Sequence, residues 1–252
     1  EEYKPAQPVS VREAVKYSSF EIMKQLGKGA FGRVFLAKHK PTNRIFALKA
    51  LSKRNLMLQR QMRYAISEAN ILRQTDHPFV VKLWYSFQTQ HNLYIAWTIV
   101  HAEIKRVPCP QIETLELEAK WIIAQLLLAL EYLHSKNILY RDLKPENILL
   151  HEDGYIRLAD FGLSKADNVG LTYSFCGSPA YLSPEMISQR GVGKEVDVYG
   201  MGCVLHEMLL GHPPHFANDI DQLYKNIREG KLKLPATLSE EVRDLLKNLL
   251  QR

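Results

Sequence analysis

Tyr140-Arg141-Asp142-Leu143-Lys144-Pro145-Glu146-Asn147 and Asp160-Phe161-Gly162 hold the densest concentration of chemistry-bearing side chains in this 252-residue chain. Between them, Ile148-Leu149-Leu150 and Tyr155-Ile156-Arg157-Leu158 have strand composition, and Asp153-Gly154 is a two-residue hairpin signal. A hairpin with 153 and 154 at its tip sets Asn147 directly opposite Asp160 at the open end. An amide oxygen and a carboxylate placed there suit Mg²⁺, which takes a few hard oxygen ligands and completes its shell with phosphates. Asp142 lies on the segment feeding the hairpin, where it can orient a substrate hydroxyl and accept its proton. Lys144 would then balance charge on a phosphoryl group in transfer. An ordinary Asp/Asn-rich turn is the alternative, and the spacing speaks against it.

Two upstream motifs fit the same chemistry. Gly27-Lys28-Gly29-Ala30-Phe31-Gly32-Arg33-Val34 follows the pattern G-x-G-x-x-G-x-V. Glycines let a backbone approach phosphate oxygens and donate N–H bonds with no Cβ in the way. A plain glycine turn or a dinucleotide-binding loop has the same letters, but the latter opens a helix, and here Val34-Phe35-Leu36 continues as strand. Phe46-Ala47-Leu48-Lys49 puts a lysine in an apolar strand, which is costly unless its ammonium finds a partner. Phosphates and Glu68, on the helical stretch that follows, are the natural partners; snorkelling from an edge strand is the alternative.

The elements that must position these residues divide the chain. Segments 20–26, 33–39, 45–51, 80–87 and 93–97 read as strands, and 61–74 as a helix of good helix formers. Helices then dominate: 115–134, apolar on most sides and so expected in the core; 194–210, ended by Gly211 and Pro213-Pro214; and a last one capped by Ser239. The expected fold is α+β and bilobal. Residues 1–19 form a lead-in, 20–97 a strand-rich lobe and 98–252 a helical lobe, with the site between lobes.

Bulk composition narrows the classes. The 46% apolar content is ordinary for a globular core, and the net charge of +6, with pI near 9.1, reads as a solvated basic face. Cys109, Cys176 and Cys203 are odd in number and far apart, which suits a reducing compartment rather than a disulfide framework. Residues 1–10 are polar and carry two prolines, unlike a signal peptide. The apolar run 121–130, interrupted by Gln125, is too short to span a bilayer. A soluble, cytoplasmic protein, with a nuclear location also open, is the expectation.

Taken together and in order, from Phe20 to about Leu250, these motifs resemble the eukaryotic protein kinase family. Lys144-Pro145-Glu146 is similar to the serine/threonine kinases. Tyr140, with Ser174-Phe175-Cys176-Gly177-Ser178-Pro179, is similar to the AGC group of basophilic kinases. The resemblance implies ATP and Mg²⁺, and no other metal. It implies adenine held between Leu26, Val34, Ala47 and Leu149, with backbone hinge bonds at Thr98 and Val100. Gly27, Lys28, Gly29, Ala30, Phe31 and Gly32 would cover the phosphates, and Lys49, paired with Glu68, would touch them. Asp142 and Lys144 are the implied catalytic residues; Asn147 and Asp160 are the implied metal ligands. Leu72, Leu83, Tyr140 and Phe161 would stack between the lobes, Asp197 would anchor the catalytic loop, and Ser178 would contact Asp142. Ser174, or Thr172 nearby, is the implied phosphosite of an upstream activating kinase. Glu146 and Glu207 imply protein substrates with basic residues before the acceptor.

The pattern fails at one place. After Leu93-Tyr94, family members carry two apolar residues, a gatekeeper and an acidic-aromatic hinge with a Gly-Gly turn. Here Ile95-Ala96 are followed by Trp97-Thr98-Ile99-Val100-His101-Ala102-Glu103. Trp97 would fill the space behind the adenine, and 97–113 is expected to be poorly packed. The codons for Trp97–Glu103, read two bases later, can spell a hinge of the family type. Three functions compete: an active kinase, a pseudokinase that binds ATP as a regulatory module, and a basic nucleic-acid-binding domain motivated only by charge.

Overall fold

The computed structural model describes residues 15–28, 32–98, 105–106, 116–151, 153–166 and 177–251. A five-stranded sheet comes first. It contains β1 (Phe20–Lys28), β2 (Gly32–His39), β3 (Arg44–Ser52) and, after helices α1 (Lys53–Leu58) and α2 (Met62–Gln74), β4 (Leu83–Gln88) and β5 (Asn92–Thr98). The order is β1-β2-β3-β5-β4, every neighbour antiparallel.

Side-chain alternation along these strands makes two cores. Phe46 and Leu48 of β3 join Phe20, Ala37, Tyr94 and Ala96 on one face. Ala47 and Leu51 join Ile95 and Trp97 on the other, packed on Ala65, Ile71 and Leu72 of α2. Lys49 falls between Leu48 and Ala50 on the strand, opposite Val34 and Ile95, so it points to the α2 side. α2 has no Gly or Pro to break it and turns Ala65, Glu68, Ile71 and Leu72 inward.

The helical lobe follows: β6 (Lys105–Arg106), α3 (Glu116–Ser135), β7 (Ile138–Leu139), β8 (Ile148–Leu150), β9 (Ile156–Leu158), β10 (Lys165–Ala166), α4 (Pro184–Ile187), α5 (Glu195–Leu210), α6 (Ile220–Glu229) and α7 (Glu240–Leu249). Among the described residues no helix is long and apolar enough to cross a membrane. α5 is buried for most of its length and ends at Gly211, φ 79°, the left-handed cap glycine adopts readily. Two of its glycines permit close approach. A Cβ on Gly200 would meet the Leu143 Cβ at 3.0 Å, and one on Gly202 would meet Leu249 and Leu250 of the α7 end at 2.9 Å.

Four expectations need correction. The strand expected over 80–87 starts at Leu83; Val80 makes only a bridge to Leu158, and the Val81 and Leu158 amides tie this segment to β9. Helices α1, α4 and α6 were not foreseen. The first two have six and four residues, and α6 buries only Leu223 and Ile227. The third correction is to α3, which is apolar on most sides and enters the main core along one face only: Leu117, Trp121, Leu127 and Leu128 are exposed. Gln125, which broke its apolar run, is buried and accepts the Ile156 N–H at 2.9 Å.

The fourth concerns the hairpin register. Ile148 lies opposite Leu158, Leu149 opposite Arg157 and Leu150 opposite Ile156. His151 donates to the Tyr155 carbonyl at 2.9 Å, and Gly154 adopts φ 81°. The connection is therefore three residues long, with glycine in the left-handed position such loops require. That shifts the register by one: Asn147 faces Ala159, whose N–H donates to its carbonyl at 2.9 Å, and Asp160 lies one residue beyond the pair.

Candidate active site

Asp197, in the first turn of α5 and 1% exposed, organises the segment before Asp142. Its Oδ2 accepts the Tyr140 N–H at 2.9 Å and its Oδ1 the Arg141 N–H at 2.7 Å. Arg141 takes φ 66°, a left-handed conformation unusual away from glycine. Its guanidinium donates to the Leu163 carbonyl from Nε at 2.9 Å and Nη2 at 2.6 Å. The Tyr140 hydroxyl donates to the Ala159 carbonyl, and its ring meets Phe161 edge-on at 5.2 Å. Leu72, Tyr140 and Phe161 are buried in the main core with Leu83 half-buried against it; of the expected stack, the Tyr140–Phe161 contact is the one the rings make directly.

The carboxylate of Asp142 is held at both oxygens. Lys144 Nζ donates to Oδ2 at 2.8 Å and Asn147 Nδ2 at 3.0 Å, while the Ser178 hydroxyl donates to Oδ1 at 3.3 Å. Lys144 also donates to Ser178 Oγ at 2.8 Å. Asn147 Nδ2 makes a further 2.8 Å bond to the Asp142 carbonyl, which commits its amide nitrogen to the loop.

A second network faces the first. Lys49 Nζ donates to Glu68 Oε1 and Oε2 at 2.8 and 3.0 Å and to Asp160 Oδ1 at 2.9 Å. Burial opposes the Lys49 charge, but the Glu68 and Asp160 carboxylates outweigh it and hold the ammonium well above its ordinary pKa. Burial also opposes the Asp160 charge, yet Lys49 holds that carboxyl below its ordinary value. For Glu68, burial and the neighbouring Asp160 push upward against Lys49, and the net shift is upward. Snorkelling to solvent is therefore not what Lys49 does. Its expected partner on α2 is in place.

Both networks open on one cleft of about 340 Å³ whose lining includes Val34, Lys49, Glu68, Asp142, Asp160 and Gly162. Gly32 at its edge admits no larger residue, because a Cβ would lie 2.0 Å from the Ala50 carbonyl oxygen. Gly27 is under no such constraint, and Lys28 is exposed opposite Arg33. Gly29, Ala30 and Phe31 lie outside the described residues. Val34, Ala47 and Leu149 all pack on the main core, while Leu26 is half-buried on β1. Asp160, at φ 55° and with half its side chain exposed, offers a carboxylate to the cleft near Asn147. A hard-oxygen pair, a buried cation and an apolar slot fit Mg²⁺ and a nucleotide triphosphate.

The remaining expected residues are scattered. Thr98 ends β5 opposite Phe46; Val100, Thr172, Ser174 and Cys176 lie outside the described residues. Glu146 is exposed on a short 3-10 helix. Glu207 is buried on α5 and accepts from the Tyr181 hydroxyl. Ser183 caps α4, and one carboxylate oxygen of Glu185 is buried without a partner among the described residues. Poor packing at Trp97 is not observed. Its side chain is 7% exposed within the main core, opposite Ala47, although the indole N–H has no partner among the described residues. Residues 99–104 and 107–113 are outside the described set.

His134 was missed by sequence reasoning. Its Nε2 lies 2.7 Å from Asp197 Oδ2. The only signal was its place seven residues before Arg141, at the end of a helix.

The family model for the protein kinase domain matches residues 20–252. A RAC family serine/threonine-protein kinase homolog of Dictyostelium discoideum is 39% identical over 247 residues, 95% of this chain and 55% of the relative. Serine/threonine-protein kinase Sgk1 of Danio rerio is 40% identical over 252 residues, 96% of this chain and 57% of the relative. Serine/threonine-protein kinase sck2 of Schizosaccharomyces pombe is 45% identical over 247 residues, 92% and 37% respectively. The chain spans between a quarter and somewhat over half of the length of the curated relatives it matches. These relatives are of the AGC group, as the residues around Tyr140 and Ser178 suggested.

Proposed function

This chain belongs to the protein kinase family, and we propose that it transfers the γ-phosphoryl group of Mg-ATP to serine or threonine hydroxyls of proteins. The observation that carries this reading is the convergence of two charge networks on one cleft: Lys49 with Glu68 and Asp160, and Asp142 with Lys144, Asn147 and Ser178. Asp142 is oriented to take the proton of an incoming hydroxyl, and Lys144 beside it offsets negative charge building on the transferred group. Lys49, steadied by Glu68, would meet phosphate oxygens, and the Asp160 carboxylate would be available to a cation. Mg²⁺ held by Asp160 and Asn147 would supply positive charge to those oxygens. Leu26, Val34, Ala47 and Leu149 would form the slot for the base, with the residue 98 backbone at its edge and Gly27, Lys28 and Gly32 toward the phosphates.

Substrates with arginine or lysine before the acceptor fit this site, because carboxylate–guanidinium pairing is bidentate and selective. Glu146 is the exposed acid of the two candidates. Glu207 is engaged by Tyr181 in this state. Phosphorylation of Ser174 by an upstream kinase would add about −1.5 to −2 charges for Arg141 to meet, ordering the segment that carries Ser178. A cytoplasmic setting agrees with the sparse cysteines.

The test is transfer of labelled phosphate from ATP to a basic peptide library, with Asp160→Ala as the control. Label on serine or threonine in peptides with upstream arginine, absent from the control, supports the reading. Preference for acidic or proline-directed peptides would contradict the substrate class. Trp97 in the core opposite Ala47 favours a second reading, a nucleotide-gated binding module. A nucleotide-dependent rise in melting temperature without any transfer would select it.

A further inference from the structure

One face of α3 stays in water although its residues are apolar. Leu117, Trp121, Ala124 and Leu128 recur at i, i+4, i+7 and i+11, the spacing of a single stripe along a helix. All four are exposed, the three large ones by 75%, 55% and 48%. The opposite face carries Ala119, Ile122, Leu126, Ala129 and Leu133 into the main core, so the stripe is not needed to hold the helix down. Trp121 leans on Tyr155 at 6.0 Å, and Tyr155, itself partly exposed, stacks on Phe79. These rings widen the apolar patch beyond the helix. A solvent-facing helix side is ordinarily polar, and a contiguous apolar patch marks a contact surface.

The charges beside the stripe say what fits it. At about 100° per residue, Lys120 and Glu131 lie on the same flank, about 16 Å apart along the axis. Both are exposed, and neither has an ion-pair partner among the described residues. A twofold axis crossing α3 at the level of residues 125–126 returns each flank to itself with its ends exchanged. A second copy of α3 then runs antiparallel to the first, and Lys120 of each copy meets Glu131 of the other, at two places. Trp121 falls at the level of Leu128 of the other copy. Ala124, near the axis, has no bulk to hold the two helices apart. A parallel arrangement would set like charges side by side on this flank, which is destabilising. A purely acidic or purely basic partner would match only one of the two charges.

We propose that α3 is a self-association surface. Two copies of this chain pack antiparallel through Leu117, Trp121, Ala124 and Leu128, with the register set by reciprocal Lys120–Glu131 pairs. The contact is isologous, so it closes at the dimer. Lys49, Glu68, Asp142 and Asp160, which line the cleft, lie outside α3, and the inference therefore stands apart from the kinase reading.

The experiment is sedimentation equilibrium of the full chain over about 1–100 µM, beside Lys120→Glu, Glu131→Lys, the double variant and Trp121→Ala. Far-UV circular dichroism checks that each variant keeps its helices. The wild type should approach twice its 29.0 kDa at the upper concentrations. Each single reversal sets like charges together at two places and should weaken the dimer about tenfold, surface pairs being modest singly. The double variant brings opposite charges together again and should return to within about twofold of wild type. Trp121→Ala should weaken the dimer about thirtyfold, as loss of an aromatic anchor does. A wild type that stays monomeric at the highest concentration would overturn the proposal and leave the stripe to a different occupant. A dimer indifferent to Lys120→Glu would overturn it too, by moving the contact off this face. So would a folded double variant as weak as the singles, which would exclude the antiparallel register.

Discussion

Replacing Lys49 with methionine keeps most of the side-chain volume and removes one charge from a network of three. Glu68, with 3% of its side chain exposed, then keeps a buried carboxylate with no cation. Breaking a buried ion pair from one side costs about 3–5 kcal/mol. The lower end applies here, because Lys49 is 16% exposed and Asp160, at 51%, is largely solvated. A loss of about 3 kcal/mol lowers the melting temperature of a domain this size by roughly 6–12 °C. The variant should nevertheless fold, and should not transfer phosphate. The pH dependence carries the sharper signature. Without Lys49, only burial and Asp160 act on Glu68, and both raise its pKa. A carboxyl whose folded pKa is raised loses stability as pH climbs from its unfolded value, about 4.3, through the folded one. The deficit of Lys49→Met relative to wild type should therefore shrink from pH 7 to pH 5, and Glu68→Gln in the same chain should remove most of it at pH 7. Urea unfolding of the three proteins at both pH values measures this. A deficit below about 1 kcal/mol at pH 7, or one that does not change with pH, would refute the account of the network.

Asp142→Ala should cost about 10²–10⁴-fold in turnover, the usual worth of a positioned proton acceptor, and Asp160→Ala should abolish it; wild-type turnover in either folded variant, by labelled-ATP assay, contradicts their roles. Trp97→Phe should stay within about 1 kcal/mol of wild type despite its smaller ring, because it deletes a buried donor whose lack of a partner costs about 1–3 kcal/mol; a larger loss in chemical denaturation would mean the indole N–H is satisfied. Burial pushes the Cys203 thiol well up, with Glu207 adding to it, so peptide-resolved alkylation should leave Cys203 unmodified until the protein unfolds. His39, His77 and His206 are all shifted down, first by burial; the unfolded chain therefore binds more protons below about pH 6.5, and melting temperatures should fall from pH 7 to 5.5, less steeply in His206→Gln.

Much of this site was legible because its residues are bound to local pattern. β3 and α2 announce themselves by alternation and by thirteen residues without a helix breaker, and together they dictate the meeting of Lys49 and Glu68. The polar residues of 140–147 that meet around Asp142 could be picked out from residue types alone. The hairpin register was not, because Asp153-Gly154 suits both a two-residue turn and the end of a three-residue one; the choice depends on packing against 79–81, a long-range contact. Helix α6 was hidden by a narrow buried stripe, although Asp219, whose side chain accepts the Gln222 N–H at 2.8 Å, is a cap readable in the sequence. His134 escaped because its meaning lies in a partner 63 residues away.

The two bare positions on α5 have a consequence for how force passes through the helical lobe. Residues 200 and 202 are separated by about 200° around a helix, so the Leu143 side chain and the Leu249–Leu250 pair press on nearly opposite sides of one stretch of backbone. No side chain stands between to act as a cushion, and close-packed interiors transmit strain rather than absorb it. α5 is at that level a thin rigid spacer. A displacement of α7 by a bound partner would be handed across its width to Leu143, the neighbour of Asp142, with little lost in side-chain rearrangement. A methyl group added at 200 or 202 would push the same two surfaces apart from within.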